Sequence, residues 1–480
     1  MNPFDRAGYT VAAVRELLGP VAGGALARDE IVPALRATGG GSPLEALTRL
    51  FWLQVPVDEA GLRDCADDLV ARGLAERSAG ELRALLHVEP LEAAGHAGYA
   101  VSDLKARPGA GVTLRPDHVV GAGGASANLA QLVVHRDVGD ALDLGTGCGV
   151  QALHLAGRAR RITVTDVNPR ALRLARMSFE LSGLEGVESL EGSLLEPVRD
   201  RRFDLIVSNP PFVIAPPRGG LVYRESGLHG DEFCRRLVTG APARLNEGGT
   251  CQLLANWLHV DGVPWEDRVG AWIREAGCDA WVVQRDVQDP AEYAELWLRD
   301  SVEAGTPEYA ARYDAWLAYF EQQRVTGIGF GWITLRRGDA RPAVRIEELR
   351  HAVDQPVGAY VDEILTGAVQ AEDFSTACAK DGAPAGLRVR AAAGLVQEQI
   401  GPPGAEDPER ILLRQSTGLR RAAGVGTVEA GLAGVCDGTL PLGPLLDAIA
   451  QLTGMDPAQV RAHAEAVLPE LIADGFFALA

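Results

Sequence analysis

Residues Asp204-Leu205-Ile206-Val207-Ser208 run directly into Asn209-Pro210-Pro211-Phe212, a junction that limits what the chain can build there: a core strand that stops at a rigid lip. Ile and Val favour extended backbone. Each proline lacks an amide proton and fixes φ, so no sheet ladder runs on through Pro210 and Pro211. The carbonyls of Asn209 and Pro210 are thereby free to point into a cleft. Such a lip suits a flat amino group: the Asn209 side-chain oxygen and the Pro210 carbonyl accept its two N–H bonds while Phe212 stacks on its plane. Read alone, the same residues also describe a proline-rich turn after a core strand.

A second segment lies upstream. Ala141-Leu142-Asp143-Leu144-Gly145-Thr146-Gly147-Cys148-Gly149-Val150 leads into Gln151-Ala152-Leu153-His154-Leu155-Ala156, which can open a helix. Glycines between strand and helix let backbone approach a ligand closely. Ile162-Thr163-Val164-Thr165-Asp166 then reads as a second strand ending in a carboxylate, which in a βαβ unit reaches ribose hydroxyls. By spacing alone a nicotinamide or flavin dinucleotide fits this unit as well.

With all three segments in order, residues from about 100 to 345 resemble a class I S-adenosylmethionine-dependent methyltransferase. The resemblance is to the small-domain branch with an Asn-Pro-Pro-Phe/Tyr motif, which includes N6-adenine methylases of RNA and DNA and the glutamine methylases of release factors. It implies an α/β, Rossmann-like fold with a mainly parallel seven-stranded sheet, S-adenosylmethionine as cofactor and S-adenosylhomocysteine as product, with no metal. It also implies catalytic roles for Asn209, Pro210, Pro211 and Phe212. Cofactor contacts are implied for Asp143, Gly145, Thr146, Gly147, Asp166, Val167, Asn168, Gly192 and Ser193, with Asn209 shared. By the same resemblance Asp143 lies near the methionine portion, Asp166 holds the ribose diol and Val167 packs on the adenine. One departure stands out: the family often places an acidic residue near the adenine amino group, where this chain has Leu190-Glu191-Gly192-Ser193-Leu194. Ser193 can accept a hydrogen bond but carries no charge.

The remainder of the chain qualifies these expectations. At 480 residues and 47% hydrophobic content it can bury several cores, enough for two to four domains. Lys plus Arg total 46 against 65 Asp plus Glu, a net charge of -19, so no long-range basic field favours nonspecific nucleic-acid binding. Arg218 and Arg224 are the cations expected beside the acceptor cleft. The seven cysteines are widely spaced and fit a reducing cytoplasm rather than a disulfide lattice or metal site. Cys148 reads as a small buried filler. The first 20 residues lack the basic start and apolar stretch of a secretory segment, and apolar runs are too short for a membrane span.

Three parts are expected: an accessory domain at 1–98, the methyltransferase domain at 99–350 and a second accessory domain at 351–480. In the first, Leu44, Leu47, Leu50 and Phe51 form one helical face and Leu62, Leu69 and Val70 another, with wing strands expected at 83–88 and 99–101. In the last, Leu442, Leu445, Leu446 and Ile449 form one stripe and Val460, Ala464, Val467, Leu468 and Leu471 a second, before Gly475-Phe476-Phe477. Both flanks fit winged-helix modules or plain amphipathic helical bundles, suited to substrate recruitment or self-association. The glycine-rich stretch 117–126 resembles a segment that closes over the cofactor in related methylases. Aromatic residues at 289–324 suggest an inserted helical pair, and 329–336 with 344–348 a final strand hairpin.

The expected chemistry is methyl transfer to a planar amino nitrogen. Adenine N6 in RNA is the leading acceptor, from the form of the motif and the accessory domains. A glutamine amide in a protein or peptide meets the same hydrogen-bond requirement without a phosphate-binding surface. A small-molecule acceptor and a non-catalytic cofactor-binding scaffold complete the alternatives.

Overall fold

The computed structural model describes residues 2–93, 95–105, 115–216, 228–299, 305–338, 342–381, 386–403 and 408–480. Two compact units emerge: Met1–Ala130 with Arg136–Trp272 and Asp286–Trp332, and Gln131–His135 with Ile273–Arg285 and Ile333–Ala480.

The first unit contains five consecutive parallel strands, ordered Leu245–Val260, Phe203–Ser208, Val138–Leu144, Ala159–Asp166 and Glu188–Glu191. Their central residues Leu142, Val164, Leu205, Ile206 and Val207 are fully buried, as expected for strands covered on both faces. Helices Val150–Leu155 and Pro169–Ser182 supply two of the crossovers. The chain enters at Val138–Leu144 and later strands add on both sides of it, so the sheet order reverses beside this strand. At such a switch point a crevice opens outside the carboxyl ends of the strands. Leu144 lies opposite Ser208 on one side and Thr165 on the other, which brings the glycine turn, the 209–212 lip and Asp166 to one edge.

Val344–Glu348 does not form the expected hairpin with 329–336. It pairs in parallel with Asp279–Gln288, and the sheet has eight strands, one more than the resemblance implied. The alternation of apolar and charged residues in Val344-Arg345-Ile346-Glu347 marks a strand but not its neighbour.

The strands expected at 83–88 and 99–101 fall into two hairpins, with Val88 paired to Val101 in the second. Ala75–Ser78 pairs antiparallel with Glu81–Ala84, and Val57–Asp58 adds to the same sheet. Ala79 and Gly80 both have positive φ, 54° and 86°, as a two-residue hairpin turn requires. His87–Ala93 and His96–Ser102 form a separate hairpin. The expected boundary at 98 falls inside its second strand, whose edge is satisfied by a core helix: Ser182 Oγ accepts the Tyr99 N–H and Ser178 Oγ the Val101 N–H, both at 2.8 Å. Phe4, Tyr9, Phe51 and Tyr99 share an apolar cluster with Cys148, Val150 and Leu174, which makes the N-terminal segment and the α/β core one packed body.

The inserted helices are Pro290–Leu298 and Pro307–Gln322, each starting at a capping side chain, Asp289 and Thr306. Tyr293, Trp316 and Phe320 are buried between them and the strands. In the second unit the Leu442–Thr453 and Pro457–Ala473 stripes are buried as expected, with Phe476 and Phe477. Sequence reading did not place the strands Arg388–Ala391, Leu395–Ile400, Arg410–Gln415, Ala422–Val425 and Asp437–Pro441. Among the described residues no helix is long and apolar enough to cross a membrane.

Candidate active site

The site begins at the turn after Val138–Leu144. Gly145 and Gly147 have φ of 73° and 56°, and a Cβ at either would meet nothing within 4 Å, so their backbone borders open space. Gly149, at φ 89°, is different: a Cβ there would lie 2.6 Å from Phe179, so the glycine lets the turn pack against helix Pro169–Ser182. Cys148 is a buried filler whose thiol burial pushes up to about 12.

Asp143 sits beneath this turn, 1% exposed. Its Oδ2 accepts the Thr146 hydroxyl at 2.6 Å and the Ala152 N–H at 3.1 Å. Its Oδ1 is buried and has no hydrogen-bond partner among the described residues. Burial outweighs the bonds from Thr146 and Ala152 and pushes the carboxyl up to about 7. Asp143 therefore has an unused acceptor and a strong preference for a cationic or hydrogen-bond-donating neighbour. The Thr146 hydroxyl, expected to touch cofactor, is committed to Asp143.

Asp166 ends the adjacent strand. Gly147 N–H donates to Oδ2 at 2.9 Å and Asn168 N–H to Oδ1 at 2.8 Å, leaving each oxygen a further lone pair for a diol. Burial raises its pKa, opposed by those two bonds. Val167 beside it is 55% exposed, an apolar surface at the site edge. Asn168 has structural duties: its Oδ1 accepts the Arg170 N–H and its Nδ2 donates to the Asp117 carbonyl, both at 2.9 Å. Arg170 is in turn bonded to Asp103, whose Oδ2 accepts the Val119 N–H at 2.9 Å. These bonds tie the segment 115–119 alongside the strand end. Gly192 N–H donates to the Asp166 carbonyl at 3.0 Å, and Ser193 is exposed just beyond.

At the lip, Asn209 is half-buried and its Nδ2 donates to Ser126 Oγ at 3.3 Å, which leaves Oδ1 available as an acceptor. Pro210 carbonyl accepts the Phe212 N–H at 2.7 Å, closing a tight turn over Pro211. One Pro210 lone pair is thus used internally and one remains. The Phe212 ring is held edge-on by Trp297, with centroids 6.4 Å apart. Just after it, the buried Tyr293 hydroxyl accepts the Ile214 N–H and the Asn256 Nδ2–H, both at 2.9 Å. Ser126, Gln151, Gly149, Tyr293 and Trp297 were not singled out as site residues from sequence. The signals present were the third glycine of the turn for Gly149, the glycine-rich stretch 117–126 for Ser126 and the aromatic stretch 289–324 for Tyr293 and Trp297, while Gln151 carried none. Arg218 and Arg224 lie outside the described residues.

Residues 122–260 match the family described as "Methyltransferase small domain", and residues 6–85 match one described as "Domain of unknown function (DUF7059)". The chain is 37% identical over 160 residues to a release factor glutamine methyltransferase of Geobacter sulfurreducens, covering 30% of this chain and 52% of that protein. A release factor glutamine methyltransferase of Deinococcus radiodurans is 36% identical over 152 residues, 29% of this chain and 53% of its own length. A ribosomal RNA small subunit methyltransferase C of Citrobacter koseri is 32% identical over 160 residues, 33% of this chain and 42% of its own. The chain thus spans about half the length of the curated relatives it matches. The α/β body has the Rossmann-like class I methyltransferase fold, of the kind that binds S-adenosylmethionine. Within that class it is related to methylases of protein and of RNA.

Proposed function

We propose that this chain is an N-methyltransferase that uses S-adenosylmethionine, and that its acceptor is the side-chain amide of a glutamine in a protein. The observation that carries the reading is the Asn209 amide: its Nδ2 is engaged by Ser126, so its oxygen is the atom left to meet an acceptor N–H. The residues present fit the cofactor: the unpartnered Asp143 Oδ1 suits an ammonium, the Asp166 carboxylate a diol, and exposed Val167 an apolar ring. When bound, that cofactor supplies an electrophilic methyl on a sulfonium.

The work of the protein is orientation. An amide nitrogen shares its lone pair with a carbonyl and is a poor nucleophile until its plane and protons are fixed. Asn209 Oδ1 and the free lone pair of Pro210 carbonyl accept those protons and favour positive charge developing on nitrogen. Phe212, braced by Trp297, fixes the plane of the amide. After transfer the nitrogen is more acidic and its proton leaves to solvent, so a dedicated strong base has no part.

Glutamine is favoured over adenine N6 in RNA, the acceptor expected first from sequence. Several relatives of 36–37% identity are named for release factor glutamine methylation, and a net charge of -19 works against a polyphosphate partner. The test is incubation with methyl-tritiated cofactor and fractionated extract from a deletion strain, followed by mass spectrometry of the labelled fraction. Label at a glutamine of a protein is the expected result. Label confined to RNA overturns the glutamine assignment, and cofactor binding with no transfer to any fraction overturns the enzyme.

A further inference from the structure

We infer that Ser126 is a positioning residue that fixes the plane of the Asn209 amide where it meets the acceptor, an inference that rests on the planar-amino reading above. The two ends of a primary amide are nearly the same size but opposite in hydrogen bonding: oxygen accepts and nitrogen donates. An acceptor amino group offers protons, so only the oxygen-out rotamer of Asn209 is productive. Turned the other way, two N–H groups would confront two N–H groups. Nothing within the Asn209-Pro210-Pro211-Phe212 sequence chooses between these states.

In the oxygen-out state Ser126 Oγ accepts from Asn209 Nδ2 at 3.3 Å; a hydroxyl also donates, so Ser126 fixes the plane of the amide while the protons of the acceptor select the oxygen-out state. The backbone of Ser126 is held from behind. Gln151 Nε2 donates to the Ser126 carbonyl at 2.8 Å, and Gln151 is only 4% exposed. Gln151 lies in the first turn of helix Val150–Leu155, and the N–H of the next residue, Ala152, is bonded to Asp143 Oδ2 at 3.1 Å. Three hydrogen bonds, joined by the Gln151–Ala152 backbone and by Ser126 itself, thus connect the start of this helix to both the buried Asp143 carboxylate and the amide at the lip. Ser126 lies on helix Gly124–Leu132, directly after the glycine-rich stretch. The placement of that helix thereby becomes a condition for Asn209 being productive.

A single neutral hydrogen bond of this kind corresponds to about five- to tenfold in rate. Ser126→Ala should slow single-turnover methyl transfer, onto the extract fraction labelled by the wild-type protein, by about that factor while cofactor affinity stays unchanged. Ser126→Thr, which keeps the hydroxyl, should restore most of the rate. In an Asn209→Ala background, Ser126→Ala should add no further loss. A wild-type rate for Ser126→Ala, or a full additional loss in the double variant, overturns the inference and leaves the amino-group mechanism standing. A wild-type rate for Asn209→Ala overturns the mechanism and the inference together. A second readout needs no acceptor: the Asn209 side-chain NH2 resonances of the full chain, identified by their loss in Asn209→Ala, should move in Ser126→Ala and return in Ser126→Thr. Unmoved resonances overturn the contact itself.

Discussion

The peptide N–H of Gly147 donates to Oδ2 of Asp166 across 2.9 Å, so the glycine turn and the end of the neighbouring strand are one hydrogen-bonded unit. Removing the carboxylate costs both that bond and the proposed ribose contact. Asp166→Ala should weaken S-adenosylmethionine binding by about 1.5–3 kcal/mol, roughly tenfold to more than a hundredfold. Isothermal titration of the folded variant measures it, and unchanged affinity would mean the cofactor lies elsewhere.

Asn209→Ala should depress methyl transfer by on the order of a hundredfold while barely changing cofactor affinity, because the proposed partner of its oxygen, the acceptor amino group, is present only in the reacting complex. Phe212→Leu should give a smaller defect by loosening the ring held against Trp297. Phe212→Tyr should keep most activity. Single-turnover transfer beside cofactor titration separates these outcomes.

Asp143 carries a pH signature. Its pKa rises from 3.8 to about 7 on folding, so the folded state holds this proton more tightly than the unfolded chain. Without cofactor its contribution is full below the unfolded value and is lost as pH rises through about 7. Urea midpoints of Asp143→Asn should lack that part of the decline. A cationic ligand group at Oδ1 favours the ionised form, so wild-type affinity should weaken as pH falls below about 7 relative to the flatter profile of Asp143→Asn.

Gly149→Ala combines a φ of 89° with a Cβ 2.6 Å from the Phe179 ring. A loss of about 1–3 kcal/mol is expected in chemical denaturation. Phe179→Leu in the same chain should recover the steric part but not the backbone part. Equal stability of Gly149→Ala and wild type would show that the turn adapts.

In the second unit, Glu347 is bonded to Arg421 at 2.6 Å and Arg345 at 2.8 Å, and Arg421 also meets Asp474 at 3.1 Å. Burial opposes ionisation of Glu347, but the two guanidinium groups outweigh it and hold the carboxyl at about 2. The stabilisation is present above its ordinary value of 4.5 and is lost as pH falls toward about 2. Glu347→Gln should cost on the order of 3 kcal/mol at neutral pH, since it leaves two buried guanidinium groups sharing Asp474 as their remaining carboxylate. The deficit should shrink in acid, which denaturant titrations at pH 7 and pH 3 would reveal.

Sequence by itself determined the parallel core and the edge where the candidate site is proposed. Buried apolar strands, positive-φ glycines and prolines that end a ladder are local necessities, and each is visible in residues 141–150, 162–166 and 204–212. The aromatic stretch at 289–324 likewise announced two packed helices. Tertiary structure alone decided the pairings. Val344–Glu348 chose Asp279–Gln288 over the nearer strand, and residues 83–88 divide between two hairpins, the first closed by the turn at Ala79 and Gly80. It also decided the hydrogen-bond ownership of the site. Thr146 serves Asp143, Asn168 caps a helix, and Ser126 reaches Asn209 from 83 residues away. The physical reason is range: backbone conformation and burial follow from near neighbours, whereas a side chain's hydrogen-bond partner is set by which segments the fold brings together.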